Sequence, residues 1–341
     1  MTAKFKNPRA KHNFIGRTCS ITGVGSYVPE RILTNADLEK MVETSDEWIT
    51  TRTGIKERRI AAANEFTSDL AAKAAERAMK MAGVTAEQID LIIVATITPD
   101  MPFPNTACLV QQKIGARRIP AFDIEAACSG FIYALEIGQS FITAHTFETV
   151  LVIGAEKLSS ITNWKDRNTC VLFGDGAGAA ILQNRPLSHG LLTTALGADG
   201  SKADLLSMPG GGSRCPASPQ TIADGLHFLR MDGKETFKNA VQAMCSAANE
   251  VLNRCEIDIT RIKCVIPHQA NRRIINAVGE RLGATEDQLF VNLHKYGNTS
   301  AASVAIALDE AVTSGKIQRG DLVLIVGFGA GLTWGAAIIE W

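Results

Sequence analysis

The sequence predicts an α/β fold made of two copies of one unit, and three observations carry that prediction. Buried-strand runs such as Leu91 to Thr96 (LIIVAT), Val150 to Gly154 and Leu322 to Val326 alternate with Ala-rich helical stretches. Such alternation implies a mostly parallel sheet covered on both faces. The chain also repeats itself at an offset of 173: Ala74, Ala75, Ala78 and Met79 match Ala247, Ala248, Val251 and Leu252, and Val150–Gly154 falls on Val323–Gly327. Finally, 341 residues leave room for two domains or one large α/β unit, at roughly 150 residues per domain.

The elements follow in order. Residues 1–16 form a basic extension (Lys4, Lys6, Arg9, Lys11) without the apolar stretch of roughly 7–15 residues that a secretory signal needs. Leu70 to Gly83 reads as a helix closed by its glycine. Phe131 to Phe147 reads as a helix driven through the core, since Glu136 is its one carboxylate. The first half runs over 17–187 and the second over 188–341, joined near Asn184 to Gly190. In the second half, the strand Lys263 to Pro267 leads into a helix beginning within Gln269 to Ile274. Leu322 to Ile339 is 18 residues without a charge, but Gly327, Gly329, Gly331 and Gly335 make it two buried strands around a glycine turn rather than a membrane span.

Lys plus Arg number 35 and Asp plus Glu 35, a balance that argues against nucleic-acid binding through a broad basic field. With 46% hydrophobic and 21% charged residues, the chain is globular rather than disordered. Its eight cysteines show no CxxC pair, neither a disulfide scaffold nor a zinc ribbon, and fit a reduced, cytoplasmic setting.

Cys128 stands apart from the other seven. It opens the Phe131 helix, where the macrodipole favours thiolate while burial opposes it. Position alone also fits a small buried hydrophobe. His268 ends a strand, where α/β folds place their ligands, and a histidine hydrogen-bonded in a turn fits as well. Asn298 lies in a glycine-bearing loop (YGNTSAAS, 296–303) before an Ala-rich helix, a setting that also suits a turn or an N-cap. The offset pairs Cys128 with position 301, so pseudo-symmetric halves would bring this loop and the Cys128 loop together. Phe173–Gly178 and Gly327–Gly331 lack the endings of phosphate loops; their glycines suit close backbone approach, and the second is an oxyanion-hole candidate.

At these residues the chain resembles the β-ketoacyl-acyl carrier protein synthase III family, the condensing enzymes that start bacterial fatty acid synthesis. The likeness runs from about Arg17 to Trp341 and includes TSDEW (44–48), TRTG (51–54), the Cys128 segment, FGDGAG (173–178), PHQAN (267–271) and GNTSAAS (297–303). It implies a thiolase-like fold, duplicated halves in a five-layered αβαβα arrangement with mixed, largely parallel sheets, in a homodimer. It implies Cys128 as nucleophile with His268 and Asn298 completing a triad, and backbone N–H groups of Cys128, Gly329 and Ala330 as oxyanion donors. Trp48, Arg52 and Arg167 would hold the nucleotide end of coenzyme A. Gln269, Ala270, Asn271, Arg272 and Arg273 would form the carrier-protein docking segment, with Lys238 adding positive charge. Phe103 would close the acyl pocket across the dimer interface, implying a short primer such as acetyl. The expected partners are acyl-CoA and malonyl-acyl carrier protein, with no nucleic acid or membrane; coenzyme A thioester is substrate, and no metal or redox cofactor is called for.

The rivals are weaker. A thiolase wants a second cysteine, and an elongating synthase a second histidine, where Asn298 stands. Hydroxymethylglutaryl-CoA synthase needs a glutamate ahead of the nucleophile, and Glu125 sits too close in sequence for that match. Plant-type polyketide synthases share the Cys-His-Asn set but not TSDEW. A papain-like thiol hydrolase would carry CGSCW and disulfides. A starter synthase of secondary metabolism and a non-catalytic thiolase-fold scaffold stay open.

Overall fold

The computed structural model describes residues 18–185 and 190–341. The basic extension and the 187/188 boundary lie outside the described residues. Two mixed sheets share one plan. In the first, β1 (Thr18–Tyr27), β5 (Asp175–Arg185), β4 (Thr149–Lys157), β2 (Leu91–Ala95) and β3 (Ala121–Ile124) lie in that order; β4, β2 and β3 run parallel, and β5 runs antiparallel to both of its neighbours, β4 and β1. The second repeats the plan as β6 (Gly190–Ala198), β9 (Thr333–Glu340), β8 (Leu322–Gly329) and β7 (Cys264–Pro267). The counterpart of β3 is reduced to a single parallel bridge between Val265 and Leu289. The 173 offset carries β2 onto β7 and β4 onto β8, and Leu322–Ile339 resolves into two strands. Among the described residues no helix is long and apolar enough to cross a membrane.

Helices α1 (Asp46–Thr53), α2 (Thr67–Ala82), α3 (Thr106–Lys113), α4 (Gly130–Thr143), α5 (Gly233–Cys255), α6 (Arg272–Leu282) and α7 (Ala302–Thr313) complete the frame. Strand alternation sorts the core into layers. Leu91, Ile93 and Ala95 face the central layer with α4 and α7, while Ile92 and Val94 face α2 and α3. Val323 and Ile325 likewise face the centre, while Leu324 and Val326 face α5 and α6. Both faces of each sheet are therefore covered, which is why the strands read as unbroken apolar runs. The result is five layers, αβαβα.

Gly83 closes α2 at φ 67°, as its position predicts. The central helix α4 ends at Thr143, short of Phe147, because His145 adopts φ 61° and turns the chain. At the molecular centre a Cβ on Gly130 would sit 3.0 Å from the Ala95 side chain and 3.6 Å from that of Ala301, the positions that the repeat pairs with His268 and Cys128.

Candidate active site

Three segments bring Cys128, His268 and Asn298 to the wall of one cavity of about 1360 Å³. Cys128 lies in a tight turn, Ala127–Ser129, that runs directly into α4. The turn is bent hard: Ala127 takes φ 44°, a strained value for a residue with a side chain. The Ser129 hydroxyl reaches Thr333 Oγ1 at 2.8 Å, and that hydroxyl lies 2.9 Å from the Ala126 carbonyl and 3.0 Å from that of Ala330. The nucleophile turn is thereby tied to the Gly329–Thr333 turn. Gly329 is indispensable there, since a Cβ on it would fall 2.5 Å from the Cys128 nitrogen. The two turns therefore meet backbone to backbone beside the cavity that Cys128 and Ala330 line. Burial pushes the Cys128 thiol up to about 12; a nearby Ser300 hydroxyl pulls the other way and the Glu156 carboxylate adds to the rise. Desolvation is thus the largest influence on the thiol.

His268 follows β7, its N–H bonded to the Val326 carbonyl at 2.8 Å. Its Nδ1 lies 3.1 Å from Ser303 Oγ, which also accepts the Gln269 N–H at 2.8 Å. With Nδ1 engaged, Nε2 is the nitrogen left for the cavity. Burial lowers the imidazole to about 4, so it is neutral at physiological pH.

Asn298 follows Gly297, whose φ 65° and ψ −160° belong to a region that only glycine enters freely. The Asn298 Oδ1 accepts the Ser300 N–H at 2.9 Å, which leaves Nδ2 as the donor for a ligand. A neutral imidazole and a carboxamide N–H₂ in a buried cavity stabilise negative charge developing on a substrate oxygen.

At the mouth, Ser45 caps α1 by accepting the Trp48 N–H at 3.1 Å. The Arg52 guanidinium, one turn on, stands 4.7 Å from the Trp48 ring centre, and that of Arg167 stands 5.0 Å from it. Arg167 also donates to the Glu43 carbonyl at 3.0 Å. Trp48 and Arg52 line the cavity, with Asn168 beside Arg167.

Within the expected docking segment, Gln269 needs correction. Gln269 is buried, and its side chain donates to the Pro267 and Phe290 carbonyls (2.7 and 3.1 Å) and accepts the Asn292 N–H at 2.9 Å. It braces the loop and presents nothing to a partner. Ala270, Asn271 and Arg273 line the mouth, whereas Arg272 donates to Asn276 at 2.9 Å and Lys238, though exposed, is not on the cavity wall. Lys234 and Arg230 are on it, and sequence reading missed them. Phe103 is 84% exposed and does not line its own chain's cavity. Ser303 and Ser300 were also missed, although both belong to the GNTSAAS run.

Family models for 3-oxoacyl-[acyl-carrier-protein] synthase III match residues 122–200, and for its C-terminal part 252–341. A β-ketoacyl-[acyl-carrier-protein] synthase III from Caldanaerobacter subterraneus subsp. tengcongensis is 59% identical over 94% of this chain and 97% of that protein. The chain belongs to the β-ketoacyl-acyl carrier protein synthase III family. A crystal structure of the synthase III from Aquifex aeolicus VF5, 50% identical, superposes with a TM-score of 0.89 over 96% of this chain and 100% of that one. The priming β-ketosynthase of the R1128 polyketide biosynthetic pathway, 35% identical, reaches 0.88 over 95% and 96%. As a synthase III, the chain is an acyltransferase with a thiolase fold, a condensing enzyme of fatty acid synthesis.

Proposed function

We propose that this synthase III joins a short acyl-CoA, acetyl-CoA first among them, to malonyl-acyl carrier protein, giving 3-oxoacyl-acyl carrier protein, CoA and CO2. The observation that carries this reading is the placement of a nucleophile and two neutral donors on one buried wall. Cys128 attacks the primer thioester carbonyl, its oxyanion held by the Cys128 N–H and the Gly329–Ala330 turn; coenzyme A leaves and acyl-Cys128 remains. Malonyl thioester then enters. Loss of CO2 leaves an electron pair that delocalises onto the thioester oxygen, where His268 and Asn298 donate hydrogen bonds. The enolate carbon attacks acyl-Cys128, and the Cys128 sulfur departs. Decarboxylation itself generates the carbanion, so neither donor has to remove a proton from carbon.

The flanking residues fit the two substrates. Trp48, Arg52 and Arg167 suit the nucleotide end of coenzyme A, by stacking and charge. Asn271 and Arg273, with Lys234 and Arg230 alongside, suit an acidic carrier protein. Phe103 serves a pocket only if a second copy supplies it, which favours a homodimer, and the free cysteines suit a cytoplasmic setting. Likeness to a polyketide priming synthase favours secondary metabolism as the second reading of the pathway.

Intact-mass measurement after mixing with acetyl-CoA tests the proposal. The acetyl group is expected on Cys128, and Cys128→Ala is expected to abolish condensation while still releasing CO2 from malonyl-acyl carrier protein. Wild-type turnover by that variant would refute the nucleophile.

A further inference from the structure

Glu156 is a buried carboxylate that the reaction as drawn leaves unused. It is fully inaccessible, at the end of β4. Strand geometry aims it: residues two apart share a face, and a Cβ on Gly154 would meet the Ala301 carbonyl at 2.4 Å. The face that carries Glu156 therefore abuts the Asn298–Ala301 loop. Its Oε2 accepts the hydroxyls of Thr98 (2.6 Å) and Thr96 (3.2 Å), while Oε1 accepts the Ile97 N–H at 3.3 Å and keeps capacity for another donor. Among the described residues no cation pairs with it: Lys157 turns its ammonium to the Ala62 and Glu65 carbonyls, and Asp175 across the strand pair serves Ala61 and Ser159. The titratable neighbour is Cys128.

Ser300 stands between the two. It lines the active-site cavity, is held at φ 47°, and its buried hydroxyl is close enough to pull on both the thiol and the carboxyl, yet makes no hydrogen bond of ordinary length and angle among the described residues. A buried hydroxyl that makes no well-formed hydrogen bond is costly, so one retained beside a thiol and a carboxylate asks for a task. The thiol needs an acceptor for its proton before it attacks. His268 is poorly suited, because burial disfavours its protonated form and Nδ1 is already engaged by Ser303.

We propose that Glu156, acting through the Ser300 hydroxyl, takes the Cys128 thiol proton when the primer is loaded and returns it to the departing coenzyme A sulfur. This rests on the acyl-Cys128 reading. As the Cys128 sulfur bonds the primer carbonyl carbon, its proton passes to Ser300 Oγ and the Ser300 proton passes to Glu156. When the carbon–sulfur bond to coenzyme A breaks, the same proton leaves Glu156 by the reverse shift and gives the free thiol. No net proton is taken up or released in this half-reaction. Burial lifts the Glu156 carboxyl to about 7, against the pull of the Thr98 and Ser300 hydroxyls, which matches the acceptor to neutral pH.

The test is single-turnover acylation of the full chain by acetyl-CoA, without carrier protein, followed by thiol release between about pH 5.5 and 9. The wild type is expected to rise through an inflection near 7. Glu156→Gln is expected to lose that inflection and slow by roughly 100-fold or more, at least ten times the loss it shows in malonyl decarboxylation. Ser300→Ala is expected to do the same with the carboxylate intact, and Glu156→Asp to recover part of the rate with a displaced inflection. If Glu156→Gln fails to fold, Ser300→Ala decides alone. Either variant acylating at the wild-type rate with the wild-type profile overturns the relay, with acyl-Cys128 still standing. A wild type that is never acylated on Cys128 overturns both.

Discussion

Asn298 offers the sharpest trial of the enolate site. Its Oδ1 is spent on the Ser300 N–H at 2.9 Å, so the carboxamide is oriented before substrate arrives and Nδ2 is the free donor. Replacing it with alanine removes that donor and strands the Ser300 N–H. Loss of one preorganised oxyanion donor costs about 10²–10³ in kcat, or about 2.7–4 kcal/mol. Asn298→Asp is the more telling change. It keeps an acceptor for Ser300 but sets an acceptor where the donor stood, facing an oxygen that gains negative charge. Both variants should lose at least about 100-fold in kcat for CO2 release from malonyl-acyl carrier protein. The assay follows CO2 at saturating and subsaturating substrate, so that kcat and KM separate. An Asn298→Asp enzyme within about threefold of wild type in kcat, or one altered in KM alone, would refute the donor role, because a 100-fold loss is the size this term demands.

Other expectations concern the mouth, the primer and pH. Trp48→Ala should raise KM for acyl-CoA roughly tenfold, since a stacked base is worth about 1–3 kcal/mol, and should raise KM for malonyl-acyl carrier protein less; equal changes would dismiss the stacking role. A primer series should favour acetyl-CoA over decanoyl-CoA if Phe103 shortens the pocket, and equal rates would show that it does not. The unfolded chain takes up protons more readily than the buried imidazole of His268, whose value falls from 6.5 to about 4. Its share of stability is therefore present above about pH 6.5 and lost as the pH falls toward about 4. Glu156, raised from 4.5 to about 7, acts with the opposite sign, its share present below 4.5 and lost as the pH rises through 7. Urea unfolding of wild type against His268→Gln isolates the first contribution; the variant should lose less stability on acidification, and parallel curves would reject the assignment.

The layers were legible because burial on both sheet faces writes itself into sequence as unbroken apolar runs, and a repeat of such runs at one offset marks duplication. Cys128, His268 and Asn298 were legible as candidates because each stands at an element boundary, and the motifs shared with the synthase III family joined them into one set. Gln269 was not. It sits in a polar run, PHQAN, yet its partners are the Pro267 and Phe290 carbonyls and the Asn292 N–H, and nothing local announces that the chain at 290–292 folds over it. Lys238 and Lys234 are one helical turn apart on α5, and only the packing of that helix decides which lines the mouth. Glu156 left a signal that went unused: a lone carboxylate closing the apolar run from Val150 to Ala155.

Ala95 and Ala301, packed against Gly130 at the heart of the molecule, occupy the stations that mirror His268 and Cys128. The twin lobes thus differ in content, one holding the thiol and the other the imidazole, and the station that mirrors each carries only a methyl group. Restoring a cysteine at 301 and a histidine at 95 would not yield a second workshop, because those stations are walled in by core and have no doorway to solvent. The molecule is symmetric as architecture and one-handed as a catalyst.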